Sequence, residues 1–435
     1  MKISKNNLEW LVALSLVLIT TSRMFTVAMD NLGYPIVKSI VNYIRIIPIC
    51  IILLYQDKNF GIKLYNRKYL LFYIIYCLYI LLDLTILRKM PIDIMYAVPV
   101  SLFVYSYQFF LSIAYLLGAQ TIASFFNIRK FVILSVIICT IPSIFLFNYI
   151  GVEVLQNAMF QNDQDHISVM AIAYANVPLT VLAVFNYKTL FNNKLLSVVF
   201  SSFLIVSGVV IMLICGTRGA MLWCVVNIMI CYFIKTKKVR KKMIMVGTIA
   251  LIFMVAIDPV ISFLKDVTPK TAERIENTVK EGDTDARFDL NDPDNSTFLI
   301  GLENFSRSPI VGNYFRMETK NPYFVGHYPH NVFIEILMTM GVVGFIPFMV
   351  LLYKAYRKCR YVFLRGHTSG QLACLILFLC QFLMHQTSGT IVFDHSFWLF
   401  FYILCSIDKI NIVPSRQVVR NYKKQNILIN TQRVN

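Results

Sequence analysis

The chain has 435 residues, of which 57% are hydrophobic and 15% charged, and its mean hydropathy is +0.63; a soluble protein carries about 25% charged residues. A water-soluble globule is excluded, and with 34 Phe and 24 Tyr against 17 Gly and 14 Pro so are disordered and collagen-like chains. The net charge of +18 points to nucleic acid only if the basic residues share one folded surface, so their order along the chain decides its meaning.

A helix that crosses a bilayer needs roughly 20 mainly apolar residues. Apolar segments occur near 8–28, 35–56, 69–87, 94–117, 130–150, 167–186, 195–215, 219–234, 243–258, 331–353, 371–391 and 395–407. With the N-terminus inside, the inward-facing segments hold 27 of the 41 Lys and Arg, whereas the 258–330 loop carries 8 basic and 12 acidic residues. That asymmetry follows the positive-inside rule, with both termini cytoplasmic. The expected fold is an all-α polytopic membrane protein of about 12 transmembrane helices. Residues 1–258 carry helices 1–9, 259–330 form one long extracytoplasmic loop, 331–407 carry helices 10–12, and 408–435 are a basic cytoplasmic tail. The basic charge is then a topology signal, and no nucleic-acid partner is expected. Lys2 and Lys5 precede an uncleaved first span, and the ten Cys, with no CxxC pattern and none in the long loop, imply no disulfide framework.

Within the loop, 265–277 has the pattern of an amphipathic helix, 281–295 is acidic and turn-rich, and 298–305 returns to helical periodicity. Ser308-Pro309 and Gly312-Asn313 mark a turn, and aromatic residues at 323–328 lead to the membrane interface.

The sharpest constellation is His330-Asn331 followed by Gly341 and Gly344. On an unbroken helix, offsets of 11 and 14 residues return to within about 20° and 40° of the start, so these positions share one face. Glycines on that face allow close helix packing. A histidine held there would act as a base or orient a hydroxyl at the outer interface; the same spacing also fits an interfacial histidine above a packing motif. Gly216-Thr217-Arg218-Gly219 places a guanidinium at lipid-phosphate depth, suited to bidentate phosphate contact or to headgroups. Arg287, Arg307 and Arg316 are further cations of the loop. Lys38 and Arg45, seven residues apart on one face of the second span, suit an anionic ligand, Asp83 or snorkelling. His327, His385, Asp394 and His395 lie toward the outer side without a metal-ligand spacing, so no metal is expected.

These residues resemble the bacterial O-antigen ligase and O-antigen or capsule polymerase (Wzy-type) superfamily over roughly 195–400. The family's histidine motif is matched by His330-Asn331, nine residues, Gly341, two residues and Gly344, and its small-Arg-Gly turn by Thr217-Arg218-Gly219-Ala220. The layout of about twelve spans with a long outer loop before the histidine is also similar. Phe298 and Pro309-Ile310-Val311-Gly312 fit the family's loop pattern, but Tyr314 replaces its second glycine and its arginine register falls on Asp294. Arg287 takes the arginine role if 291–295 is an insertion.

The resemblance implies a GT-C-like fold in the bacterial cytoplasmic membrane. It also implies metal-independent, cofactor-free transfer of a glycan from an undecaprenyl-pyrophosphate carrier to a sugar hydroxyl on the outer side. Arg218 and Arg287 would stabilise the leaving pyrophosphate, His330 would activate the acceptor, and Asn331 and Glu335 would position His330 or sugar hydroxyls. Arg316, Lys38 and Arg45 complete the expected substrate contacts. Expected partners are the lipid-linked oligosaccharide, membrane lipid, and a chain-length regulator and flippase of the same pathway. Polymerase leads, ligase acting on lipid A-core is the alternative, and a transporter or flippase of an anionic lipid-linked substrate is the rival from another class.

Overall fold

The computed structural model describes residues 3–21, 40–41, 43–62, 64–83, 85, 98–150, 169–236, 238–267, 269–277, 296–313, 328–365, 367–392 and 394–410. Lys38, Arg287, Arg316 and the tail from 411 lie outside the described residues. Every regular element among those described is helical: α1 (Lys5–Thr20), α2 (Ile46–Phe60), α3 (Arg67–Leu82), α4 (Val98–Phe125), α5 (Ile128–Ser135), which passes through a π-helical turn (Val136–Thr140) into α6 (Ile141–Ile150), α7 (Val169–Phe185), α8 (Lys194–Ile214), α9 (Arg218–Lys235), α10 (Val239–Val267), α11 (Pro269–Glu276), α12 (Thr297–Arg307), α13 (Val332–Arg365), α14 (Ser369–Met384) and α15 (His395–Cys405).

Among the described residues, five helical stretches are long and apolar enough to cross a membrane: Phe103–Phe125, Ile128–Phe145, Lys194–Ile214, Arg218–Lys235 and Val332–Leu364. Shorter apolar helices occupy Ala171–Phe185, Ser369–Met384 and His395–Cys405. Their outward faces are apolar as well: Leu195, Val199 and Val206 of α8 and Ile346 and Val350 of α13 are exposed, a surface that suits lipid better than water. Two boundaries differ from the apolar runs in the sequence. The 371–391 run is not one helix, because α14 stops at Met384 and a polar turn begins; α13 continues through its basic residues to Arg365. In the 259–330 segment, α10 extends to Val267, and α11 and α12 stand where amphipathic and helical periodicity is read.

The centre of the bundle is α15, all eleven residues of which are buried. A helix apolar on every side has to be enclosed, and α3, α4, α13 and α14 enclose it. On α3, Tyr69, Tyr73 and Tyr76 fall at the i, i+4, i+7 spacing of one helix face. Their rings surround Trp398, with centroids at 6.4, 4.8 and 5.1 Å. The Tyr69 hydroxyl donates to the Trp398 carbonyl at 2.7 Å, and the Trp398 indole donates to the Ile391 carbonyl at 2.8 Å.

Basic residues gather where α1 and α5 begin and α9, α13 and α15 end. Lys130 Nζ lies 2.8 Å from Glu9 Oε2, Lys358 Nζ is 2.6 Å from Asp408 Oδ1, and the Arg129 guanidinium stands 4.9 Å over the Phe191 ring. Between α13 and α14, burial and then the charge of Lys235 push the His367 imidazole down to about 4. The opposite end of the bundle carries a different, mostly uncharged polar network, described below.

Trp398→Ala should destabilise the purified protein by about 3–5 kcal/mol, the usual loss for a buried large aromatic, read as a fall in its thermal unfolding midpoint. An unchanged midpoint contradicts α15 as the centre of packing.

Candidate functional site

The helix that follows His330 is broken. Gly341 has φ 60° and ψ −162° inside α13, so Val332 to Met340 and Val342 to Arg365 are two helical pieces. A break frees backbone groups that an apolar surrounding cannot hydrate. The Pro309–Gly312 turn, which follows α12, satisfies them. Val342 N–H donates to the Pro309 carbonyl at 2.9 Å, Val343 N–H to the Ile310 carbonyl at 3.2 Å, and Asn313 N–H to the Met338 carbonyl at 2.6 Å. A side chain at Gly341 would collide with the Ile310 carbonyl, and one at Gly312 (φ 76°) would sit 2.5 Å from the Thr339 and Met340 backbone. Two glycines therefore let the loop and the helix interlock backbone to backbone.

This corrects the single-face reading of His330, Gly341 and Gly344. Gly341 is a helix break, so the helical phase does not carry across it. A Cβ at Gly344 would first meet the Met340 side chain, across that break. His330 itself precedes α13 in the left-handed region, φ 52°, the one non-glycine with positive φ among the described residues. A non-glycine there costs about 1–3 kcal/mol and persists only where its surroundings fix it. Here Asn331 caps the helix, its Oδ1 accepting from Phe333 N–H at 3.0 Å and Ile334 N–H at 3.2 Å. The Tyr328 ring stands edge-on to His330 at 4.7 Å. Asn331 thus holds the helix start that orients His330, and its side-chain oxygen is already engaged.

One turn further along α13, Glu335 is fully buried. Its carboxyl accepts from the Thr390 hydroxyl, from Ile391 N–H at 3.4 Å and from the Tyr76 hydroxyl at 3.4 Å. Glu335 therefore fastens α13 to α3 and to the turn 385–394 between α14 and α15. That same turn meets the Arg218 region. Thr387 Oγ1 accepts from the Trp223 indole at 2.8 Å and lies 3.0 Å from the Tyr174 hydroxyl. A Cβ at Gly219 would come within 3.1 Å of it. Arg218, half-buried, is the first residue of α9 behind the Thr217 N-cap.

The turn has its own internal lock. His385 Nε2 lies 2.6 Å from Asp394 Oδ2, while Asp394 also accepts from the Ser396 hydroxyl and from Phe397 N–H at 2.9 Å. His395, fully enclosed, is 2.5 Å from the Ser112 hydroxyl and 2.6 Å from Gln108 Oε1 on α4. Arg45 lies within electrostatic range of His395 and stands at the start of α2. The structure thus brings the His330–Glu335 segment, the Arg218 turn and the 385–394 turn to one end of the bundle.

Sequence reasoning noted His385, Asp394 and His395 but missed Thr387, Thr390, Tyr76, Tyr174 and Trp223. The signal was the polar run His385-Gln386-Thr387-Ser388-Gly389-Thr390 in a chain that is otherwise mostly apolar. No protein-family profile matches the chain, and no curated protein matches it.

Gly341→Ala should undock the Pro309–Gly312 turn at a cost of about 1–3 kcal/mol or more, raising hydrogen exchange at the Val342 and Val343 amides. Gly247→Ala, with open space around it, should leave both amides unchanged. Equal protection in wild type and Gly341→Ala contradicts the interlock.

Proposed function

We propose that the chain is a multi-pass membrane glycosyltransferase that polymerises polysaccharide repeat units, taking the growing glycan from an undecaprenyl-pyrophosphate carrier. The observation that carries this reading is that one turn is contacted by both segments: Glu335, near His330, bonds Thr390 and Ile391, and the start of α9, at Arg218, reaches Thr387 through Trp223 and Gly219. A base and a phosphate-binding cation are the two groups such a transfer needs. In the reaction, an acceptor sugar hydroxyl attacks the anomeric carbon and its proton passes to a His330 ring nitrogen. The bond from that carbon to the pyrophosphate oxygen breaks, and Arg218 meets the charge that develops there. Attack from the face opposite the leaving group inverts the anomeric centre. Arg287 is the second cation of this reading, and Arg316, Lys38 and Arg45 are outlying contacts with the anionic donor.

The proposal includes a bacterial cytoplasmic membrane, about twelve crossings in a GT-C-like arrangement, both termini inside and the 259–330 segment outside. The distribution of buried charge supports an enzyme over a transporter. Among the described residues, buried Asp83, Glu335, His385 and His395 belong to the network end and buried Lys130 to the basic end, whereas a transport path needs ionisable groups along the bundle interior. Ligation to lipid A-core uses the same donor chemistry, so the acceptor separates it from polymerisation.

His330→Ala should lower elongation by about 10²–10⁴-fold, the usual worth of general-base catalysis, with protein level and substrate flipping unchanged. Long chains from that variant contradict the mechanism. With purified protein and lipid-linked repeat units, a product ladder without added core supports the polymerase, and a single transfer that requires core sinks it.

A further inference from the structure

A groove of about 540 Å³ opens at the basic end, lined by the second half of α9, the first turn of α10, the second half of α13, α14 and the end of α15. It falls inside the range of about 300–1,000 Å³ typical of ligand sites, and it lies away from the His330 network. Its wall is apolar, with Phe233, Leu352, Leu375 and Phe378 prominent, and Lys242 and Arg360 stand on its lining. Lys242 Nζ lies 5.6 Å from the Phe233 ring centroid, and Arg360 Nη1 donates to the Tyr356 hydroxyl at 3.1 Å. Among the described residues no carboxylate pairs with either cation.

Charge around the groove is one-sided. Residues 235–242 hold six Lys and Arg and residues 354–365 hold five, with no Asp or Glu in either stretch. Lys358, the basic residue there with a described carboxylate partner, is held by Asp408 beyond α15. Positive-inside topology accounts for the number of these charges but not for an apolar cleft directly beneath two of them. A groove between apolar helices with cations at its rim is complementary to a molecule with a hydrocarbon chain and an anionic phosphate, and basic pockets between membrane helices bind such headgroups.

We propose that this groove holds an acyl chain of an anionic bilayer phospholipid, with the headgroup phosphate against Lys242 and Arg360. The chain fills the space lined by Phe233, Leu375 and Phe378. The guanidinium, steadied by Tyr356, supplies directional donors, and Lys242 supplies a point charge. A zwitterionic lipid brings its own cation to the same rim and is disfavoured. The site stands independently of the glycan-transfer reading, because it uses none of its residues.

The test is native mass spectrometry of the full detergent-purified chain, titrated with phosphatidylglycerol or with phosphatidylcholine of identical acyl chains. Phosphatidylglycerol adducts should be retained preferentially. The double variant Lys242→Gln/Arg360→Gln should weaken that retention by roughly tenfold or more, down to the phosphatidylcholine level, with an unchanged unfolding midpoint. Ala355→Phe, which fills the groove behind an intact rim, should also remove the preference; Ala355→Leu, a smaller insertion, serves if the larger one unfolds the protein. Equal retention of the two lipids by wild type, or undiminished phosphatidylglycerol retention in the charge variant or the folded groove-filling variant, overturns the proposal.

Discussion

A carboxyl group enclosed in an apolar bundle has to be met by donors, and Glu335 is met by three that come from two other parts of the chain. Leaving such a group unsatisfied costs several kcal/mol. The network end is therefore not free to rearrange: α13, α3 and the 385–394 turn keep their positions because Glu335 requires them. The turn then transmits that order through Thr387 to Tyr174, Trp223 and the start of α9. Arg218 owes its place beside this end to a contact chain whose other end is one helical turn from His330.

The break at Gly341 obeys the same rule on the backbone. A helix in an apolar phase keeps its hydrogen bonds inside itself unless another segment supplies partners. The Pro309–Gly312 turn supplies them, so the segment after α12 becomes part of the wall of α13. His330 sits at the head of the shorter helical piece in a conformation that isolated residues avoid. Asn331 capping from within and Tyr328 alongside hold it there. Such a histidine is pre-set, which is what a base that must meet a substrate in one orientation needs.

Much of the helical scaffold was legible in the apolar runs, because burial or lipid exposure demands apolar side chains in either case. Periodicity at 298–305 likewise anticipated α12, where Ile300 packs on Met338. The glycines misled for a definite reason. Counting 3.6 residues per turn presumes an unbroken helix, and no pattern within Val332 to Gly344 announces that Gly341 leaves the helical region. The break becomes evident only with Ile310 and Gly312 opposite. Glu335 was readable as a costly residue near the start of a span, but its partners Tyr76 and Thr390 lie 259 and 55 residues away, beyond any local pattern. A turn before 395 was legible, but its reach back to His385 was hidden because its polar run was absorbed into the apolar average of the 371–391 segment.

The account stands on Arg218 and His330 serving one reaction from one end of the bundle. The direct measurement is a double-mutant cycle on elongation of lipid-linked repeat units by purified protein, with Arg218→Lys, His330→Gln and both together. Groups that act as a unit lose less in combination than the product of their separate losses, so a coupling of about 0.5–3 kcal/mol is expected. Losses that simply multiply, or elongation undiminished in either single variant, would contradict it.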